Sequence, residues 1–269
     1  MNMPIKNMNK GDLVGIILAL IFILMFFFVS DKAYAADDWG KTGHRVIGQI
    51  AQDNLTTEAL TAVTELLNGE TLATVSTWAD EIRSDSSYDS YKVWHYVNMP
   101  LDKKYEEVEH TQDNVVIGIQ KCIAVLKDNS ASREEKIFHL RFLVHLVGDV
   151  HQPLHVGRRE DLGGNKIYVE FFRDGTNLHR VWDTDMIENF NMSYTEISDY
   201  LQSYKHQDFP QGDAICWANE SQQIVKKVYE IEVGTQLSYS YIYNNFYIVK
   251  DRLYRAGIRL ANLLNSIYV

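Results

Sequence analysis

The run SREEKIFHLRFLVHLVGDVHQPLH, from Ser132 to His155, sets the tightest limits on what this chain can fold into. Ser132-Arg133-Glu134-Glu135 has the pattern of a capping box, which opens a helix by satisfying its first free N–H groups. Ile137, Leu140, Phe142, Leu143, Val144 and Val147 make that helix strongly apolar. Pro153 cannot continue it, so it should end near His151. Within this setting stand His145, Asp149, His151 and His155. His145 and Asp149 are four residues apart and therefore share a helix face. A buried carboxylate without a partner is costly, and no lysine or arginine lies within HLVGDVHQPLHV. A metal ion is the economical counter-charge. His179 and Asp183, in NLHRVWDTD, repeat the spacing. Histidine and aspartate donors without clustered cysteines favour hydrolytic zinc over a structural zinc finger. His155 lies past the helix-ending proline, where the chain can turn back toward the same centre. His44 in WGKTGH, Asp80 in TWADEIR and His95 in WHYVNMP are further candidates. His110, His139, His151 and His206 are read as hydrogen-bonded packing residues.

The remaining pattern is helical, with stretches over about 43–53, 57–68, 71–84, 113–128, 194–204, 213–232 and 245–267. Residues 165–172, β-branched and aromatic after Gly163-Gly164, suit a short strand or hairpin arm. No linker divides the chain. Residues 1–35 stand apart: Lys6 and Lys10 precede an apolar run from Leu13 to Val29, and Ala33-Tyr34-Ala35 offers small residues at a cleavage site. This is the layout of a secretory signal peptide. Its removal takes away three lysines and two aspartates, so the net charge moves from −10 to −11. A generic basic nucleic-acid binder is thereby excluded. A phosphate polymer would need local positive charge, which bound metal ions can supply. Cys122 and Cys216 can form one disulfide in an exported protein or remain two thiols.

In one order, the chain carries Trp39-Gly40…Gly43-His44, Trp78-Ala79-Asp80, His95-Tyr96-Val97-Asn98, His145…Gly148-Asp149-x-His151-Gln152-Pro153-Leu154-His155, Gly163-Gly164-Asn165 and Asn177-Leu178-His179-x-x-Trp182-Asp183. This set resembles the zinc-dependent single-strand-specific nucleases and 3′-nucleotidases of fungi, plants and bacteria. The resemblance is dense from Trp39 to Asp185 and thins to Trp217-Ala218-x-Glu220-Ser221 in a late helix. It implies an all-α, single compact multi-helix domain over 36–269 with a short β-hairpin, the trinuclear zinc fold shared by phospholipase C and these nucleases. It implies three zinc ions. Asp80, His95, His145 and Asp149 would hold one. Trp39, through its amino nitrogen and carbonyl oxygen, His44 and the bridging Asp149 would hold the second. His155, His179 and Asp183 would hold the third.

The resemblance further implies that Asp80, Arg83 and Asp149 serve catalysis, with the Arg83 charge on the phosphoryl oxygens. Tyr96 would stack a base, while Asn98 and Asn165 would contact it. Asn98 stands where well-known fungal members carry aspartate, so base preference does not transfer. Cleavage after Ala35 would leave Ala36-Asp37-Asp38 ahead of Trp39, so amino-group ligation requires a further trimming step. The expected activity is cleavage of single-stranded DNA and RNA to 5′-phosphate products, with 3′-nucleotides as further substrates. A secreted or periplasmic location, no stable protein partner and no membrane in the mature form complete the expectation. Two alternatives are a zinc-dependent phospholipase C, whose ligand set typically ends in His-x-x-x-Glu where this chain has Asp183, and a catalytically dead secreted zinc-binding protein.

Overall fold

Helices dominate the computed structural model, which describes residues 39–204 and 208–269. The expected signal peptide, Ala36-Asp37-Asp38 and His206 lie outside the described residues. Among the described residues seven long helices carry the fold: α1 (Lys41–Asp53), α2 (Thr57–Leu66), α3 (Val115–Lys127), α4 (Arg133–His151), α5 (Tyr194–Ser203), α6 (Ala214–Val228) and α7 (Tyr239–Ile267). Short turns of helix connect them. No helix among the described residues is long and apolar enough to cross a membrane.

α4 is the axis. Its capping box is present, with Ser132 accepting from Glu135 N and the Glu135 carboxylate accepting from Ser132 N. From Phe142 to His151 every residue is buried. A helix apolar all round must be covered on several sides. α3 lies along it, and α1, α6 and α7 close the other flanks.

β1 (Tyr168–Phe171) and β2 (Asp174–Asn177) form the expected antiparallel hairpin. A two-residue strand, β3 (Gln236–Leu237), adds to β1 in parallel and was not legible in so short a run. The expected helix over 71–84 is instead broken into Leu72–Val75, Trp78–Glu81 and a tighter turn at Ile82–Ser84. The break has a cause: the Ser76 carbonyl accepts from His145 Nδ1 at 2.7 Å, so it serves α4 rather than a continuing helix. Ser86–His95 winds as a tight helix with no amphipathic signal of its own. It is held by aromatic packing, with Tyr91 and Trp94 edge-on at 4.9 Å and Phe142 of α4 against both. Cys122 and Cys216 are both free.

Candidate metal centre

Four separate stretches of chain converge on one face of α4. On the helix, His145 Nε2 lies 3.2 Å from Asp149 Oδ2. The Ser76 carbonyl can only accept, so His145 Nδ1 carries the proton and Nε2 presents its lone pair to the centre. His95, at the end of the tight helix, turns Nδ1 to the same point, 3.1 Å from Asp149 Oδ2 and 3.1 Å from His145 Nε2. Asp80 Oδ1 stands 3.6 Å from His145 Nε2 and 3.8 Å from His95 Nδ1. Asp80, His95 and His145 thus form one donor group, with atoms all within 4.8 Å of one another.

On the other side of Asp149, α1 brings in His44, whose Nε2 is 3.4 Å from Asp149 Oδ1. The rings of His44 and His145 stack at 3.8 Å. This approach depends on Gly148, because a Cβ there would lie 2.8 Å from His44 Nδ1. Trp39 is fully buried, and its indole N–H donates to the Gly148 carbonyl at 2.8 Å. Gly40 N donates to the Asp183 carbonyl, also at 2.8 Å. The segment ahead of α1 is therefore tied to both donor-bearing stretches. His44, His145 and Asp149 make a second donor group.

The third group is His155, His179 and Asp183, all buried. Gln152 and Pro153 start a tight turn that swings His155 back, and its Nδ1 bonds the His95 carbonyl at 2.6 Å. Two backbone bonds, Val97 N to His155 O and Met99 N to Gly157 O, zip these strands of chain together. His179 Nδ1 bonds the Gly163 carbonyl at 2.6 Å, and its Nε2 lies 2.9 Å from Asp183 Oδ2. Gly163 has φ of +63°, a conformation glycine adopts without strain. The helical turn widens to a π turn across Val181–Asp185, a feature common at functional sites. Burial pushes the Asp183 carboxyl up, but the imidazoles of His179 and His155 outweigh it and hold it below its ordinary value.

The residues fit zinc on two grounds. The donors are imidazole nitrogen and carboxylate oxygen. His145, His155 and His179 each rest Nδ1 on a backbone carbonyl, the arrangement that orients metal-binding histidines and fixes their tautomer.

Arg83 pairs with Asp80 at 3.2 Å and stays about one-third exposed. It therefore sits at the open edge of the first group. Tyr96 and Asn98 line a cavity of about 590 Å³ together with Arg159 and Leu162. Asn165 is not on that lining; its amide donates to the Leu162 carbonyl at 2.9 Å and shapes the turn beside it.

His151 points away from the centre. Its Nδ1 bonds the Val147 carbonyl and its Nε2 meets Arg259 Nη1 at 2.9 Å. Burial, then the charges of Arg252 and Arg259, hold its imidazole well below the usual histidine range. His110 and His139 likewise bond backbone carbonyls, those of Tyr105 and Glu135. Sequence reasoning missed Gln152, whose amide donates to the Asp183 carboxylate and whose oxygen accepts from Leu154 N. Its signal in the sequence was its place in the His151-Gln152-Pro153 motif, which gives it no role of its own. It also missed Arg252 and Arg259, both about 1% exposed, which brace the end of α4 through Glu220, Ser221 and the His151 carbonyl.

Residues 39–269 match the S1/P1 nuclease family. The chain is 33% identical to Endonuclease 4 of Arabidopsis thaliana over 86% of its length and 89% of that protein. It is 31% identical to Nuclease S1 of Aspergillus oryzae, over 58% of this chain and 57% of that one. Against Nuclease P1 of Penicillium citrinum the identity is 27%, covering 86% of this chain and 98% of the other.

Proposed function

The chain belongs to the S1/P1 nuclease family, and on that premise we propose that it is a zinc-dependent phosphodiesterase cleaving single-stranded DNA and RNA to 5′-phosphate products. It also acts as a 3′-nucleotidase in this reading. It is exported by a signal peptide over 1–35 and works as one catalytic domain over 36–269. The observation that carries the proposal is the convergence of three His/Asp donor groups around Asp149 and Asp183, with the imidazoles of His145, His155 and His179 pinned from behind.

In this reading Asp80, His95, His145 and Asp149 hold one zinc ion. Trp39, His44 and Asp149 hold a second, and His155, His179 and Asp183 hold the third. Bound zinc supplies Lewis acidity and a water acidic enough to attack phosphorus at neutral pH. The chain does the rest. Asp149 turns one oxygen to His44 and the other to His95 and His145, so one rigid side chain sets the spacing of two sites. Arg83 brings a guanidinium to the exposed edge, where it stabilises charge building on the phosphoryl oxygens. Tyr96 follows directly on His95 and offers a ring for a base to stack on. Asn98, two residues further along the same cavity, meets the base edge. A base enters that cavity only when it is free of a duplex partner, and this gives the preference for single strands. Asn165 acts through the Leu162 turn as well as on the base.

Side-by-side assay of denatured DNA, RNA, a 3′-nucleotide and phosphatidylcholine tests the proposal. Cleavage of the first three but not the lipid is expected. Lipid hydrolysis alone would mark a phospholipase C, and zinc binding without turnover would mark a dead site.

A further inference from the structure

α7 opens with an unusual surface. Tyr239, Tyr243 and Tyr247 are 77%, 87% and 57% exposed. They are spaced four residues apart, so they lie along one helix face over about 12 Å. Solitary exposed apolar residues are ordinary, but aligned aromatic rings mark an interaction surface. The rings are held in place at both ends. Tyr239 packs edge-on against Phe172, with ring centres 4.7 Å apart. Lys227 Nζ lies 3.3 Å from the Tyr247 hydroxyl and 5.5 Å from its ring centre.

Two cations, Lys227 and Arg173, flank this face, with the exposed Asp174 beside Arg173 in the hairpin. Lys227 is exposed and turns its ammonium to Tyr247 rather than to a carboxylate. Arg173 follows Phe172 at the hairpin turn, exposed and with φ of +78°. Asp251, one turn beyond Tyr247, is committed to Arg255 at 2.8 Å. Exposed rings in series with flanking cations are the elements of a single-strand platform: bases stack on the rings and phosphates meet the cations.

The face is also connected to the metal centre. Phe172 and Arg173 form the turn of the β1–β2 hairpin, whose other end, Asn177, caps the turn carrying His179. That hairpin is about 13 Å long. Trp182, next to Asp183, donates its indole N–H to the Tyr241 hydroxyl at 2.9 Å. A strand cleaved at the centre therefore needs only a few more nucleotides to reach the rings.

We propose that Tyr239, Tyr243 and Tyr247, with Lys227 and Arg173, form an exosite that binds the single-stranded substrate away from the scissile phosphate. This rests on the single-strand nuclease reading above. It makes long strands better substrates than short ones, because the second contact is paid for once the first is made.

The test uses the zinc-loaded mature protein and two variants, Tyr243→Ala and the triple change Tyr239→Ala, Tyr243→Ala and Tyr247→Ala. The single variant alters the most exposed ring and guards against misfolding of the triple one. The first readout is fluorescence anisotropy with a labelled phosphorothioate oligothymidylate of about 20 nucleotides. Affinity should fall about tenfold for Tyr243→Ala, as expected for one lost base–ring stack, and further for the triple variant. Tyr243→Phe should bind as wild type. The second readout is kinetic. KM for long denatured DNA should rise in parallel, while cleavage of a dinucleotide stays unchanged. Unchanged oligonucleotide affinity and unchanged KM in both alanine variants would overturn the proposal. So would loss of self-association, or of retention on an insoluble polysaccharide, with oligonucleotide binding intact. If wild-type protein cleaves neither substrate, the nuclease reading fails; the anisotropy arm still decides whether the rings hold a strand.

Discussion

Gln152 shows how a proposed ligand, Asp183, is set by a residue outside the donor groups. Its amide donates to the Asp183 carboxylate, and its oxygen is fixed in turn by Leu154 N. Asp183 can then present its other oxygen to His179. Gln152→Leu should lower zinc affinity of the third group by about 10- to 100-fold, the usual effect of losing such a partner. Competition with a chelator reads this directly, and the other two groups should hold their ions. Arg83 makes the contrasting case. It sits at the edge of the site and pairs with Asp80 from a third-exposed position. Arg83→Ala should keep its zinc and its fold, yet lose about 2–4 kcal/mol of transition-state stabilisation. Wild-type cleavage by that variant would make Arg83 a surface cation. At this scale the donors themselves were legible, because histidine and aspartate in an apolar run need an explanation. Gln152 was not, because a neutral amide beside a proline carries no such demand.

At the scale of elements, the ends of α4 were written in the chain. Ser132 and Glu135 fix its start, and Pro153 lies just beyond its last residue, His151. Ser132→Ala should cost about 1 kcal/mol of stability, measured by urea unfolding, with zinc content unchanged. The 71–84 stretch was legible as helical but not as broken, since the break answers to His145, a residue far away in sequence. The same holds for Ser86–His95, whose shape comes from rings on α4. α1 and α4 meet through Gly148 and His44, a contact visible only once both helices are placed. Gly148→Ala would press a methyl group on the imidazole. It should reduce zinc in the second group while leaving α4 intact by circular dichroism.

Over the whole molecule, an acidic chain holds a buried cationic brace. Arg252 and Arg259 share Glu220 and cap the end of α4. Burial raises the Glu220 carboxyl, but Arg259 and Arg252 outweigh it and leave it lowered. A lowered acid adds stability above its unfolded value of 4.5 and loses it as pH falls through the folded value. His151, held far below 6.5, acts in the same direction. Below about 6.5 the unfolded chain takes up a proton that the native state refuses. The metal-free protein should therefore lose stability steadily from pH 7 toward pH 4 in urea titrations. A flat profile would contradict the brace. None of this was legible in sequence beyond Glu220-Ser221, because two arginines on a late helix read as surface charge until their burial is seen.

Nine residues from Trp39 to Asp183 are proposed to assemble three metal sites, and this assembly to do the chemistry. Elemental analysis of purified, active mature protein tests it most directly. Three donor groups predict about three zinc ions per chain, and Asp149→Ala should lose both ions it is proposed to bridge together with activity. One ion or none in fully active protein, or an Asp149→Ala variant with full zinc and turnover, would contradict it.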